Sequence, residues 1–176
     1  SEIPNHMPDY IEKKLGLWRT DPNAKELKPL FSTGAELHIL IMNVEAFSSK
    51  KGVDFAKKFL SCHNTIIGID ESTTIKNPQA KRTRAIVELG TKSKYRRILT
   101  GSPVTKSPLD LFAQCYFLHP YLLGHESYYT FKVRYAVTKQ INVSGRTIQI
   151  VVGYRNLGEL SEKLKPFSYR VLKDDC

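Results

Sequence analysis

Ile66-Ile67-Gly68-Ile69-Asp70-Glu71 is the stretch on which the fold of this chain of 176 residues turns. An apolar run ends abruptly in two acids, as a buried parallel strand does at its carboxyl end. Further on, Arg97-Ile98-Leu99-Thr100-Gly101-Ser102-Pro103 repeats the pattern with a small polar turn in place of the acids. Open α/β folds put ligand chemistry outside the carboxyl ends of such strands, so both polar ends hold candidate site residues.

Working outward, residues 37–42, 66–70 and 96–100 read as strands, and residues 53–60 as a helix carrying Phe55, Phe59 and Leu60 inward. Residues 10–18 read as a short helix within a polar, proline-punctuated opening. Asn77-Pro78 is a helix start and Gly90 its stop, after Ala85, Ile86 and Leu89. Ser107-Pro108-Leu109-Asp110 has the form of a capping box opening a helix through Phe117. Asn156 caps a last helix through Leu164, and Pro166 stops it. Strands alternating with helices predict an α/β fold, a parallel sheet flanked by helices.

Beyond Pro120 the character changes. Tyr121, Tyr128, Tyr129, Phe131 and Tyr135 form an aromatic-rich stretch that could stack on bases or, more commonly, pack a helical subdomain. Gln140-Ile141-Asn142-Val143 and Thr147-Ile148-Gln149-Ile150-Val151-Val152 flank Ser144-Gly145-Arg146, a hairpin signal.

Adjacent acids at a strand end have a known use. In P-loop ATPases the first holds Mg²⁺, and a neighbouring carboxylate can orient or deprotonate the attacking water. Asp70 takes the first role and Glu71 the second. Alone, such a run is more often a strand entering a solvated turn, so the surrounding motifs decide.

Asp70-Glu71-Ser72-Thr73-Thr74-Ile75-Lys76-Asn77 resembles motif II of superfamily two helicases, in the Swi/Snf-like, DEAD/DEAH-related branch that reads Asp-Glu-Ala-His-x-Ile/Leu-Lys-Asn. Leu99-Thr100-Gly101-Ser102-Pro103 resembles motif III of that branch, usually Leu-Thr-Gly-Thr-Pro. Leu37-His38-Ile39-Leu40-Ile41-Met42-Asn43-Val44-Glu45 upstream continues the likeness, as do Leu109-Asp110-Leu111-Phe112, Phe117-Leu118-His119-Pro120, Tyr154-Arg155-Asn156-Leu157-Gly158-Glu159-Leu160 and Lys165-Pro166-Phe167-Ser168-Tyr169-Arg170 downstream. The resemblance implies a partial first RecA-like lobe with a small helical and hairpin excursion. It divides the chain into an N-terminal polar segment (1–34), a core with motifs II and III (35–123), an aromatic-rich protrusion (124–154) and the final helix and end of the lobe (155–176).

Two departures stand out. Ser72-Thr73 replaces the usual Ala-His, through which family members link ATP state to motif III; a hydroxyl can still donate a hydrogen bond, over a shorter reach. Within these 176 residues there is also no Gly-x-x-x-x-Gly-Lys-Ser/Thr loop and no Gly-Lys dipeptide, so the phosphate cradle is missing. The arginine-bearing motifs of a second lobe are absent as well. The expectation is the later two-thirds of a first motor lobe, separated from an upstream segment and a second lobe that are its partners in an intact motor. The Ser72-Thr73 variant and compact layout resemble bacteriophage motors.

Composition suits an intracellular soluble globular unit, with 41% hydrophobic and 25% charged residues. No apolar run is long enough to cross a bilayer, so no membrane partner is expected. Cys62, Cys115 and Cys176 are odd in number and widely spaced, which points to reduced thiols rather than disulfides or a zinc site. The net charge of +10 is concentrated. Lys76, Lys81, Arg82, Arg84, Lys92, Lys94, Arg96 and Arg97 are opposed in their stretch by Glu88 alone. Such a run is either a solvated helix face or a surface for polyanions.

Together these features lead to a fragment of an ATP-dependent DNA helicase or translocase, acting on double-stranded DNA through its backbone, with Mg²⁺ and ATP in the intact motor and no ATPase activity of its own. Asp70 is the metal ligand and Glu71 the catalytic base; Ser72, Thr73, Thr100, Gly101 and Ser102 couple nucleotide state to DNA grip; Lys50, Lys51 and Lys76 touch the DNA backbone. The compartment is the cytoplasm of a bacterial or phage-infected cell, or the nucleus in a eukaryote. Two other classes stay open: a naturally truncated protein that binds DNA or a partner motor without catalysis, and a nuclease using Asp70 and Glu71, for which no further carboxylate stands at a recognisable spacing.

Overall fold

The computed structural model describes residues 13–32, 36–143 and 146–171. Short strands alternate with helices, the α/β arrangement of a partial RecA-like lobe. The chain divides into two compact units, Ser1–Ile67 with Gln79–Arg96 and Gly68–Pro78 with Arg97–Cys176.

In the first unit, strands β1 (Lys13–Leu17) and β2 (Leu37–Ile41) pair in parallel, with Lys13 opposite Leu37 and Leu17 opposite Ile41. The helix expected over residues 10–18 is therefore corrected to a strand for its described part. The cause is visible at Gly16, the buried position between exposed Leu15 and Leu17. A Cβ there would stand 2.3 Å from Leu30 Cδ1, so the inner face of this strand is a glycine backbone pressed on Leu30 and carries no apolar side chain to reveal the period of two. Trp18, Leu27, Leu30, Phe55 and Phe59 form the core of this unit, with Trp18 and Phe55 ring centroids 4.8 Å apart.

Helix α1 (Lys50–Cys62) starts earlier than expected, because Ser49 Oγ accepts the Gly52 N–H at 3.2 Å and caps it. Phe55 and Phe59 share its buried face one turn apart, while Leu60 is half-buried. Helix α2 (Lys81–Gly90) ends at the expected glycine but begins after Ala80. Asn77-Pro78 thus lies in the preceding turn, where a fixed φ and a missing N–H are as useful as at a helix start.

The second unit holds helices α3 (Leu111–Leu118), α4 (Tyr128–Tyr135) and α5 (Leu157–Leu164) and the antiparallel strands β5 (Ala136–Val143) and β6 (Arg146–Tyr154). Phe112, Cys115, Phe131, Tyr135 and Leu160 lie in its core with Leu109, Leu111 and Leu123. The aromatic stretch packs as expected of a subdomain: Phe131 and Tyr135 are fully buried, though Tyr121 and Tyr129 remain exposed. Burial pushes the Cys115 thiol up to about 12. The hairpin is longer than the sequence suggested, with a bulge between Val137 and Thr138; its expected turn residues Ser144 and Gly145 lie outside the described residues. Asn156 precedes α5 in the left-handed region (φ 56°) but does not cap it; its Nδ2 donates to Arg134 O at 3.0 Å.

Helix α5 is tied to α4 by Glu159. Its carboxyl is held down at about 2, below the ordinary 4.5, chiefly by the Arg134 guanidinium, then by the Tyr135 hydroxyl at 2.9 Å and Lys163 at 3.2 Å. A carboxyl lowered on folding stabilises above its ordinary value, and that contribution is lost as pH falls through the folded one. Thermal melts should therefore drop between pH 4.5 and about 2, and Glu159→Gln should flatten that acid limb. An unchanged limb in the variant would mean that Glu159 does not hold α5.

Among the described residues the strands form three two-stranded sheets rather than one continuous sheet. The third pairs β3 (Ile66–Ile69) with β4 (Tyr95–Ile98), and it carries the candidate site.

Candidate functional site

The Lys94 and Tyr95 N–H groups donate to Thr65 O at 3.0 and 3.2 Å, and the Leu99 N–H donates to Ile69 O at 2.8 Å. The two strands therefore advance together, in parallel, and their carboxyl ends lie side by side. There the Ser72 N–H donates to Leu99 O at 2.9 Å, fastening the acidic turn to the Thr100 turn. Sequence separation is large; spatial separation is one hydrogen bond.

Asp70 and Glu71 are both exposed. Asp70 Oδ1 accepts the Glu71 N–H at 3.0 Å. Glu71 sits in the left-handed region at φ 49° and ψ 57°, a conformation costing a residue other than glycine about 1–3 kcal/mol and most common at functional turns. A 3-10 turn, Ser72–Ile75, follows, anchored by Ser72 and Ile75, each fully buried. Thr73, between them, is half-buried.

On the neighbouring strand end, Thr100 Oγ1 accepts the Ser102 N–H at 3.2 Å, and Ser102 Oγ donates to Val104 O at 3.0 Å. Gly101 is exposed with open space where a Cβ would stand. The Ser72 hydroxyl, expected to have a short reach, donates to Gln114 Oε1 at 2.6 Å, and Gln114 Nε2 donates to Pro103 O at 2.8 Å. The two turns are joined through helix α3.

Lys76 is not directed at solvent alone. Its ammonium donates to Thr105 Oγ1 and lies 3.8 Å from Asp110 Oδ2. Asp110 also accepts from Thr105 N (3.1 Å), Thr105 Oγ1 (2.8 Å) and Lys106 N (3.0 Å). Partial burial pushes its carboxyl up, but the Lys106 and Thr105 donors and the Lys76 charge outweigh it and hold it below the usual carboxylate range. The capping box is thus half realised: Ser107 Oγ accepts the Leu109 N–H at 3.0 Å, while Asp110 serves the preceding loop. Lys50 and Lys51 open α1 in the first unit, exposed. In the basic stretch, Arg82 pairs with Glu45 at 2.7 Å, and Glu88 pairs with Lys57 at 2.8 Å.

Sequence reasoning missed Gln114 and the second role of Asp110. The signal for Gln114 was present: one amide inside Leu-Phe-Ala-Gln-Cys-Tyr-Phe-Leu, a helix apolar all round, must find partners in the core.

The fold is that of a partial RecA-like lobe, and the family match below puts the chain in the Swi/Snf-like superfamily two branch. Residues 6–176 match the SNF2-related domain, and the chain belongs to that family. It is 26% identical over 162 residues to the SNF2 domain-containing protein ENL1 of Oryza sativa, covering 88% of this chain and 16% of that protein. It is 31% identical over 107 residues to the TATA-binding protein-associated factor MOT1 of Saccharomyces cerevisiae (61% of this chain, 6% of that protein). It is 26% identical over 107 residues to Protein CHROMATIN REMODELING 24 of Arabidopsis thaliana (61% and 10%). These relatives are eukaryotic, and the likeness to bacteriophage motors has no support among them. The chain spans at most 16% of their lengths.

Proposed function

We propose that these residues are the acidic half of the ATP site in a DNA-dependent ATPase that moves along duplex DNA. The observation that carries this reading is the pairing of an exposed Asp-Glu strand end with the Thr100 turn through Ser72 N and Leu99 O, in a chain of the SNF2-related family. Relatives named for TATA-binding-protein association and chromatin remodelling support duplex DNA as the track.

Mg²⁺ fits Asp70. A carboxylate is a hard oxygen donor, and Mg²⁺ in phosphate sites is held by one or two carboxylates with waters and phosphate oxygens. When bound, the ion supplies charge neutralisation for phosphoryl transfer. The protein's part is to keep Asp70 exposed at the strand end and to present Glu71 as proton acceptor for the attacking water. Thr100, Gly101 and Ser102, with Ser72 and Thr73 across from them, pass the state of that site to the DNA-gripping surface. Lys50 and Lys51 are the exposed backbone contacts, and Lys76 reaches a phosphate only by leaving Asp110. The compartment is one that holds DNA, a nucleus or a bacterial cytoplasm.

Duplex titration tests the DNA half of this reading. Binding should be indifferent to sequence, and log affinity should fall linearly with log salt as counterions are released. Affinity unchanged by salt, or a sharp preference for one sequence, would contradict it.

A further inference from the structure

Gln114 and Ser72 are each wholly removed from solvent, and their side chains face each other across forty-two residues of sequence. Both ends of the Gln114 carboxamide are engaged. Its oxygen accepts from Ser72 Oγ at 2.6 Å, and its nitrogen donates to Pro103 O at 2.8 Å and to Asp110 O, in its own helix, at 2.8 Å. Turning the amide over would set its oxygen against two carbonyl oxygens, so the network fixes its orientation. Ser72 follows Glu71 directly and is also bonded through its own N–H to Leu99 O. Pro103 follows Ser102, and the loop after it is held by Asp110 Oδ2 at Thr105 and Lys106. A buried amide cannot exchange a lost partner for water, so displacing either turn leaves a donor or acceptor unmatched unless the other turn follows.

We infer that Gln114 is a positioning residue that joins the turn bearing Asp70 and Glu71 to the turn bearing Thr100 to Pro103, so that the two move as one body. It rests on the reading above only in assigning those turns to ATP and DNA. The mechanical coupling is a property of the chain itself. In this chain a serine hydroxyl and a helix amide do what a longer motif II side chain would do directly.

Hydrogen exchange, followed residue by residue in wild type, Ser72→Ala, Gln114→Leu and the double variant, tests the coupling on this chain. Ser72→Ala should speed exchange at the Thr105 and Lys106 amides, which donate to Asp110 Oδ2 rather than to Ser72 or Gln114. The Phe131 and Leu160 amides, elsewhere in the same unit, should hold. A response confined to the neighbours of Ser72, or spread evenly over the unit, overturns the inference. The double variant should recover the part of the global stability that each single one loses by leaving the Ser72 hydroxyl or the Gln114 oxygen unmatched. In the full-length protein it should still lose roughly tenfold of its stimulation by duplex DNA, a size typical of coupling between two sites, with KM for ATP unchanged. A double variant stimulated as strongly as wild type means that the network only fills the core, and overturns the inference. If wild-type full-length protein hydrolyses no ATP, the motor reading falls, and exchange alone decides the role of Gln114.

Discussion

Glu71→Gln, in the full-length protein, should leave nucleotide bound while turnover falls by roughly 10²-fold or more, the range a positioned general base supplies. The substitution keeps the size and a hydrogen-bonding group but removes the proton acceptor. Asp70→Asn should differ in kind: it removes charge from the proposed metal ligand, so Mg²⁺-dependent nucleotide binding should weaken along with turnover. Phosphate release and equilibrium binding of a fluorescent nucleotide separate the two. The backbone adds a further expectation at the same residue. Glu71 holds φ 49°, a region where glycine is at ease, so Glu71→Gly should raise stability while abolishing turnover. A destabilised Glu71→Gly protein would mean that the left-handed turn is held by the side chain rather than strained for function.

Phe131→Ala should cost the second unit about 3–5 kcal/mol. The ring is fully buried, with centroids 4.7 Å from Tyr135, 5.4 Å from Phe112 and 5.5 Å from His125, so truncation leaves a cavity that three neighbouring rings cannot fill without leaving their own rotamers. Against a total of about 5–15 kcal/mol for a domain, that loss is a large share of the margin. Urea unfolding followed by tyrosine fluorescence measures it. A loss under about 1 kcal/mol would show that the aromatic stretch lies on the surface, where the base-stacking reading of these residues would regain its force.

The strand ends were legible because their chemistry is local. An apolar run that stops at Asp-Glu or Thr-Gly-Ser announces both the strand and its functional end, and the bounds of β3 and β4 fall within two residues of where the sequence put them. Which face of those strands is covered was not legible. Ile66 and Leu99 read as core, yet they are 62% and 59% exposed, because apolarity reports what a residue would gain by burial and not which neighbour arrives. Strand β1 was lost to a helix for the complementary reason: its buried residue is Gly16, which carries no hydrophobic signal at all.

Polar residues divided in the same way. Ser49, beside its helix, caps by contact with a neighbour three residues on, which a sequence can reveal. Ser72 and Gln114 are partners across the fold, and nothing in either local stretch names the other. Asp110 looked like a cap for its own helix because the spacing from Ser107 is right, but the Thr105 and Lys106 donors and the Lys76 ammonium compete for the same carboxylate and win.

Phosphate release from ATP, measured for the full-length protein while duplex DNA is titrated in and for this chain alone, tests the central claim most directly. The full-length protein should turn over ATP, faster as duplex is added, and this chain alone should not, since its 176 residues bring the acidic half of the site without a Gly-Lys phosphate loop. Full-length protein whose turnover is absent, or indifferent to DNA, would contradict the assignment of Asp70 and Glu71 to a DNA-driven ATPase and leave the non-catalytic reading in its place.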